Sequence, residues 1–213
     1  MVKSDGVGVH LYRANSDMGT VLIHDVFGYT DYPKAVAGQL MDAGFSVAAL
    51  DLYHGKVPNN LTEGEHLRDA LKREEILSSI QAGINVLKQS GLKKLGTMGF
   101  CMGGRFSLLG ACNIPDITFC VDFYGAIQDA EATANLKGPL LYILGSEDPP
   151  VTNWAINNFL PAAAKYKKRV EAHLYPNAKH AFHSWKNPAY NKEAADDAWA
   201  RTIDFLSRVR NTR

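Results

Sequence analysis

Short apolar runs alternate with amphipathic stretches along most of the chain. Residues 20–24 form one continuous apolar run, which is typical of a strand that is covered on both faces of a sheet. Between Pro33 and Gly44 the apolar positions follow a helical period instead, and a proline near the start and a glycine past the end mark helix boundaries. Helical spacing returns between Ala195 and Leu206, so the pattern extends to the last predicted helix.

This alternation predicts a sheet of about seven strands with helices between them. The predicted strands are residues 7–12, 20–24, 45–50, 93–98, 117–124, 139–144 and 170–175. The first alternates apolar and polar residues, as a half-buried edge strand does. Residues 62–87 have a helical period that fits two helices or one kinked helix, with capping-box spacing at Thr62 and Glu65. We therefore expect an α/β fold with a mostly parallel central sheet and helices on both faces, in a single domain over residues 1–213.

One turn in this pattern carries a reactive side chain. Gly99, Cys101 and Gly103 give the spacing G-x-nucleophile-x-G between a predicted strand and a predicted helix, which is the pattern of a nucleophile elbow. Glycines permit the sharp turn, and the turn places Cys101 at a helix N-terminus, where backbone N–H groups and the helix dipole favour a thiolate. Cys101 is therefore predicted to be a nucleophile, and the alternative is a buried structural cysteine.

Two further residues complete a predicted catalytic triad. A cysteine nucleophile needs a base, and the base needs a partner that holds its tautomer and orientation. Asp148 and His180 follow Cys101 in the order nucleophile, acid, histidine, and each comes directly after a predicted strand, so all three point to one edge of the sheet. The backbone N–H groups of Val26 and Met102 are the predicted oxyanion hole.

Composition and charge narrow the range of functions. A chain of 213 residues with 46% hydrophobic residues can bury a full core. The net charge of +1 gives no electrostatic reason to expect a nucleic acid or membrane partner, and no apolar run approaches the roughly 18 residues of a membrane span. No spacing typical of zinc ligands or of a dinucleotide loop occurs, so we expect no metal and no organic cofactor. Cys101 and Cys112 would lie on one helix, too far apart to form a disulfide, which favours a reducing cytoplasmic compartment.

Six short motifs resemble those of the dienelactone hydrolase (carboxymethylenebutenolidase) family. They are DVFG at 25–28, DLY at 51–53, GFCMGG at 99–104, FYG at 123–125, GSEDP at 145–149 and HAF at 180–182. The resemblance runs from about residue 20 to the C-terminus. It implies an α/β-hydrolase fold, a monomer or a weakly associated homodimer, and an enzyme that opens small esters or lactones through an acyl-cysteine.

The resemblance also implies roles for residues around the nucleophile. The family usually has glutamate where this chain has Asp25, so Asp25 is expected to modulate the nucleophile. Phe27, Tyr53, Tyr124 and His183 are expected to contribute to the substrate pocket. His183 stands near the position where well-known members carry an arginine that helps to hold a substrate carboxylate.

Two other functions stay open at this point. A cysteine amidohydrolase of the glutamine amidotransferase type also places cysteine on a G-x-C-x-G elbow. That type usually carries its acid two residues after the histidine, where this chain has Phe182. A non-catalytic thiol redox sensor or binding module on the same fold would instead oxidise Cys101 reversibly.

Overall fold

Eight strands and the helices between them account for the alternating sequence pattern. The structure, a computed structural model, describes residues 2–4 and 7–212. The strands are β1 (Val2–Ser4), β2 (Val7–Tyr12), β3 (Met18–Ile23), β4 (Ser46–Asp51), β5 (Lys94–Phe100), β6 (Phe119–Phe123), β7 (Leu140–Glu147) and β8 (Val170–Lys179). The helices are α1 (Asp31–Asp42), α2 (Leu61–Ala70), α3 (Arg73–Gln89), α4 (Met102–Asn113), α5 (Pro149–Trp154), α6 (Leu160–Lys165) and α7 (Lys192–Asn211). A 3₁₀ turn (Ala130–Asn135) precedes β7, and a π-helical turn (Ala155–Phe159) joins α5 to α6.

The strands form one sheet in the order β1-β2-β4-β3-β5-β6-β7-β8. From β4 to β8 every neighbouring pair is parallel, whereas β2 pairs antiparallel with β4 and β1 pairs antiparallel with β2. The predicted mostly parallel sheet is confirmed. It has one strand more than predicted because Val2–Ser4 pairs with β2, so β2 is not the edge strand that its sequence suggested.

Helices cover both faces of this sheet, as predicted. On one face, Ile80 and Ile84 of α3 and Phe106 of α4 pack into an apolar layer. On the other face, Leu40 of α1 and Phe205 of α7 belong to a second apolar layer. Of the helices that the structure describes, none is both long and apolar enough to cross a membrane. The sheet is thus the middle of three layers, and its central strand β5 ends at Cys101.

The predicted helical stretch at 62–87 is two separate helices. Leu71, directly after α2, has the extended backbone angles φ −73° and ψ 124°, so the helix cannot continue into α3. The predicted capping box at Thr62 and Glu65 is wrong. The side chain of Asn60 instead accepts a hydrogen bond from the N–H of Glu63 at 3.0 Å, and α2 begins two residues earlier than that box requires.

Candidate active site

Cys101 occupies a strained turn between β5 and α4. Its backbone angles are φ 57° and ψ −114°, in a region that residues with side chains rarely adopt. The Cys101 N–H donates to the carbonyl of Phe123 at 2.9 Å, and the Cys101 carbonyl accepts from the N–H of Arg105 at 3.0 Å. A Cβ atom at Gly103 would lie 2.1 Å from the carbonyl oxygen of Ile23, so only glycine lets α4 begin this close to the end of β3. The strand, the strained turn and the helix follow one another in the predicted order.

The structure brings Cys101, Asp148 and His180 together. The Nε2 atom of His180 lies 2.9 Å from Sγ of Cys101, and its Nδ1 atom lies 2.6 Å from Oδ2 of Asp148. The side chain of Asp148 is 5% exposed, whereas that of His180 is 40% exposed. Burial opposes protonation of His180, but its contacts with Asp148 and Cys101 outweigh burial and raise its pKa. A buried acid thus holds an imidazole that is accessible from solvent and in contact with the thiol.

The two predicted oxyanion donors lie at the same end of the sheet as Cys101. Val26 follows β3, Met102 is the first residue of α4, and β3 neighbours β5 with Ile23 opposite Gly99. Within the described part of the chain, neither the Val26 N–H nor the Met102 N–H donates to a protein acceptor. Both donors are therefore free to bind an oxygen atom.

Asp25 caps the turn that carries Val26. Its Oδ1 atom accepts from the N–H of Phe27 at 2.8 Å, and its backbone carbonyl accepts from the N–H of Gly28 at 3.2 Å. Burial raises the pKa of Asp25 to about 6, while the Phe27 hydrogen bond and the positive charge of His180 oppose this rise. Among the described residues no hydrogen bond joins Asp25 to Cys101. The interaction of Asp25 with the triad is therefore the electrostatic one with His180.

A cavity of about 240 Å³ opens beside this turn. Asp25 lines it together with apolar and polar residues from three other parts of the chain. These are Phe27, Thr30, Tyr32, Pro58, Ser184, Lys186, Asn187 and Pro188. The structure therefore places Phe27 in a pocket wall, as the resemblance implies.

Tyr53, Tyr124 and His183, the other expected pocket residues, are not among the residues that line this cavity. All three are buried, because their rings pack into the layers that support the site. The hydroxyl of Tyr53 donates to Sδ of Met102 at 3.3 Å, and the ring centroid of Tyr124 lies 5.2 Å from that of His180. The Nδ1 atom of His183 lies 2.8 Å from the hydroxyl of Tyr32, and burial lowers the pKa of His183 to about 4. These residues are therefore buried next to the site and contact Met102, His180 and Tyr32.

A larger groove of about 640 Å³ lies on the side of α4 that faces α2 and α3. Arg68, Arg73 and Arg105 line it beside Asp69. Arg73 donates to Oδ1 of Asn113 at 3.0 Å, and Arg68 pairs with Asp69 at 2.7 Å. Two of the three cations therefore already have partners.

From the sequence alone, His24, directly before Asp25, is either a residue at the edge of the site or an ordinary polar residue at the end of a strand. Its imidazole bridges the loops after β3 and β4 through hydrogen bonds to the Asp25 carbonyl and the Leu52 N–H. The only indication in the sequence is a histidine at the end of a buried apolar strand. Over the described residues, no group of three or more histidine, cysteine, aspartate or glutamate side chains could hold a metal ion.

Comparison with known proteins identifies the family. The model of the dienelactone hydrolase family matches residues 8–210. A Saccharolobus solfataricus protein that is provisionally named a carboxymethylenebutenolidase is 30% identical, with 97% of this chain and 96% of the relative covered. A Bradyrhizobium protein that is provisionally named a 2-oxo-3-(5-oxofuran-2-ylidene)propanoate lactonase is 28% identical, with 87% of this chain and 82% of the relative covered.

Solved structures agree with this result at the level of the fold. A Klebsiella pneumoniae protein that is provisionally described as a dienelactone hydrolase has a TM-score of 0.85 at 20% identity, covering 95% of this chain and 93% of its own. A dienelactone hydrolase from Anabaena variabilis has a TM-score of 0.70 at 23% identity, covering 95% and 91%. The predicted α/β-hydrolase fold is confirmed. The chain belongs to the dienelactone hydrolase family and is a carboxylic ester or lactone hydrolase.

Proposed function

We propose that the chain hydrolyses small carboxylic esters or lactones through an acyl-cysteine formed on Cys101. The observation that carries this proposal is the continuous contact from Sγ of Cys101 through the His180 ring to Asp148, with distances of 2.9 and 2.6 Å. A nucleophile in contact with a base, and a base held by an acid, is the arrangement that nucleophilic acyl transfer needs.

In the acylation step the Cys101 thiolate attacks the carbonyl carbon of the substrate. A carbon–sulfur bond forms, and the carbonyl oxygen takes the electron pair as an oxyanion. When the oxyanion collapses, the carbon–oxygen bond to the leaving group breaks, and protonated His180 gives its Nε2 proton to the departing alkoxide. In a lactone that alkoxide stays tethered to the acyl group.

In the deacylation step water replaces the leaving group. Neutral His180 takes a proton from water, the resulting hydroxide attacks the thioester, and the carbon–sulfur bond breaks to release a carboxylic acid and the thiolate. The Val26 and Met102 N–H groups would bind the oxyanion in both steps. One such donor contributes about 10²–10³ in rate, so these two backbone groups carry much of the proposed rate enhancement.

We take the cavity beside the Asp25 turn as the candidate acyl pocket, although neither Cys101 nor His180 is among its lining residues. Its volume of about 240 Å³ suits a small acyl group, and Phe27, Tyr32, Pro58 and Pro188 give it largely apolar walls. Lys186 lines the cavity and pairs with Asp31 at 3.2 Å, so it is the candidate partner for a substrate carboxylate that displaces Asp31. The lactone named for the Bradyrhizobium relative combines a flat ring with a carboxylate, and we propose a substrate of that general shape.

Turnover of small lactones and aryl esters by wild type and by Cys101→Ala tests the proposal. We expect Cys101→Ala to lose turnover and Cys112→Ala to keep it, because Cys112 is buried away from the triad. Brief iodoacetamide treatment at neutral pH should label Cys101 well before Cys112, since burial raises the pKa of Cys112 to about 12. Retained hydrolysis in Cys101→Ala, or equal labelling of both cysteines, would contradict the assignment.

A further inference from the structure

We infer that His24 is a positioning residue that orients one donor of the oxyanion hole. Its ring holds the peptide between Asp25 and Val26 so that the Val26 N–H faces the reacting carbonyl oxygen. This inference rests on the proposed acyl transfer at Cys101 and adds a residue that touches neither the substrate nor the triad.

The two hydrogen bonds of the His24 ring allow a single tautomer. Nδ1 lies 2.6 Å from the carbonyl oxygen of Asp25, and Nε2 lies 3.1 Å from the backbone nitrogen of Leu52. A carbonyl oxygen can only accept and a backbone N–H can only donate. Nδ1 therefore carries the proton and Nε2 is bare, so the ring connects the loop after β3 to the loop after β4.

The surroundings of His24 keep the ring in this state. The residue is 1% exposed, and its ring centroid lies 4.8 Å from that of Tyr53. Burial lowers the pKa of His24 to about 4, so the ring is neutral at neutral pH and Nε2 remains able to accept. A charged ring would carry a proton on both nitrogens and would lose its bond to Leu52.

Fixing the Asp25 carbonyl also fixes the Val26 N–H. In a planar trans peptide the carbonyl and the N–H point in opposite directions. The Asp25 carbonyl is held by His24 at 2.6 Å and by the Gly28 N–H at 3.2 Å. The Val26 N–H is thereby turned to the opposite side, where no protein acceptor among the described residues takes it.

The start of α4 lies against the preceding peptide, between His24 and Asp25. A Cβ atom at Gly103 would lie 2.6 Å from the carbonyl oxygen of His24, so the N-terminus of α4, with the Met102 N–H, adjoins this loop. Rotation of the Asp25–Val26 peptide by half a turn would replace a donor with an acceptor beside Met102. The His24 bond opposes that rotation, because it would leave Nδ1 buried without a partner.

Two substitutions separate the two bonds of the ring. In His24→Asn the side-chain amide nitrogen can take the place of Nδ1 and donate to the Asp25 carbonyl, but the Leu52 N–H loses its partner. In His24→Gln the longer side chain can place an amide oxygen near the Nε2 position and accept from Leu52, but the Asp25 carbonyl loses one of its two donors and keeps only the Gly28 N–H. Each variant removes one buried hydrogen bond, so each is the matched control for the other.

We expect His24→Gln to lower kcat for ester hydrolysis by about 10²-fold, the effect of losing one oxyanion donor, with little change in KM. We expect His24→Asn to keep a kcat well above that of His24→Gln, because it retains the donor to the Asp25 carbonyl. Alkylation of Cys101 by iodoacetamide displaces iodide from a saturated carbon and forms no oxyanion, so both variants should keep the wild-type alkylation rate. A purely structural role would lower alkylation and hydrolysis together.

An equal loss of kcat in the two variants, or a loss of alkylation that parallels the loss of hydrolysis, would overturn the inference about His24. The proposed function would still stand in that case, provided that the wild type is active. A wild type without Cys101-dependent turnover would instead overturn the proposed function and the inference with it. If a variant fails to fold, nitrogen-15 NMR of the His24 imidazole in the wild type gives an independent test. The inference requires a protonated Nδ1 and a bare Nε2 on His24, and a protonated Nε2 would contradict it.

Discussion

Two aspartates flank Cys101 from the strands on either side of β5, and each caps a turn. After β3, Oδ1 of Asp25 accepts from the N–H of Phe27 at 2.8 Å; at the end of β6, Oδ1 of Asp122 accepts from the N–H of Gly125 at 2.8 Å. Burial raises the pKa of Asp25 to about 6 and that of Asp122 to about 7. They differ in their access to substrate, because Asp25 lines the cavity whereas Asp122 is 0% exposed and its Oδ2 atom has no partner.

The two carboxyl groups thus share a raised pKa and a position beside Cys101 but differ in exposure. The charge of His180 lowers the pKa of both aspartates, though burial dominates in each. Asp122 packs against the start of α4, because a Cβ atom at Gly104 would lie 2.2 Å from its Oδ1 atom. The residue after Asp122, Phe123, accepts a hydrogen bond from the Cys101 N–H through its backbone carbonyl. Exposure to the cavity, more than the pKa itself, distinguishes the functional candidate from the structural one.

The first prediction, with the largest expected effect, tests which aspartate holds the tautomer and orientation of His180. We expect Asp148→Asn to lower kcat about 10⁴-fold, because an amide in place of the carboxylate favours the wrong tautomer of the histidine. Asp122→Asn should remain close to wild type, since Asp122 bonds the Gly125 N–H and has no bond to His180. The measurement is kcat on an ester that Cys101→Ala cannot hydrolyse. Near-normal turnover in Asp148→Asn, or an equal loss in Asp122→Asn, would require a different acid in the triad.

The sequence predicts best those features whose cause is local. The glycines at 99 and 103, with an apolar run before and after them, predict the strand, turn and helix that carry Cys101. The alternation of strands and helices predicts the fold class, and the family confirms it. Because the carboxyl ends of parallel strands meet at one edge, the positions of Asp148 and His180 after their strands predict their approach to Cys101.

Burial depth and long-range partners could not be predicted in the same way. Whether Tyr53, Tyr124 and His183 face the cavity or lie behind its wall depends on packing between distant segments. Asp122 stands in an apolar strand with no partner evident in the sequence. Its acceptor role depends on the Gly125 N–H, which only the turn after β6 brings within reach.

A second prediction concerns the charge of Asp25. Above pH 6 this carboxyl group is ionised, since its pKa is about 6, and its negative charge disfavours a nearby thiolate. We expect Asp25→Asn to speed alkylation and peroxide oxidation of Cys101 a few-fold above pH 6 and to leave both unchanged below pH 5, where the wild-type group is neutral. Ester turnover should fall, because the cavity wall and the turn cap both change.

The measurement is a pH series of Cys101 alkylation rates on wild type and Asp25→Asn. Asp17→Asn is a suitable control, because Asp17 is exposed and directly precedes β3, at the opposite end of that strand from Asp25. Superimposable profiles for wild type and Asp25→Asn would mean that Asp25 only caps its own turn.

The smallest expected effect separates Asp122 from Asp25 by stability. A carboxyl group with a pKa of about 7 in the folded state, against about 3.9 when unfolded, binds more protons folded than unfolded between these values. The contribution of Asp122 to the stability of the wild type should therefore fall as the pH rises from about 4 to about 7 and then level off. Asp122→Asn removes this dependence and keeps the oxygen that accepts from Gly125. Its Tm relative to wild type should rise by a few degrees over this pH range, whereas the gain for Asp25→Asn should level off near pH 6, where its own pKa lies. The informative quantity is the slope of this Tm difference against pH, because a buried amide without a partner shifts Tm equally at every pH.

Thermal unfolding of the three proteins in steps from pH 4 to pH 8 measures this slope. A Tm difference for Asp122→Asn that does not change with pH would mean that Asp122 ionises as readily in the folded chain as in the unfolded one.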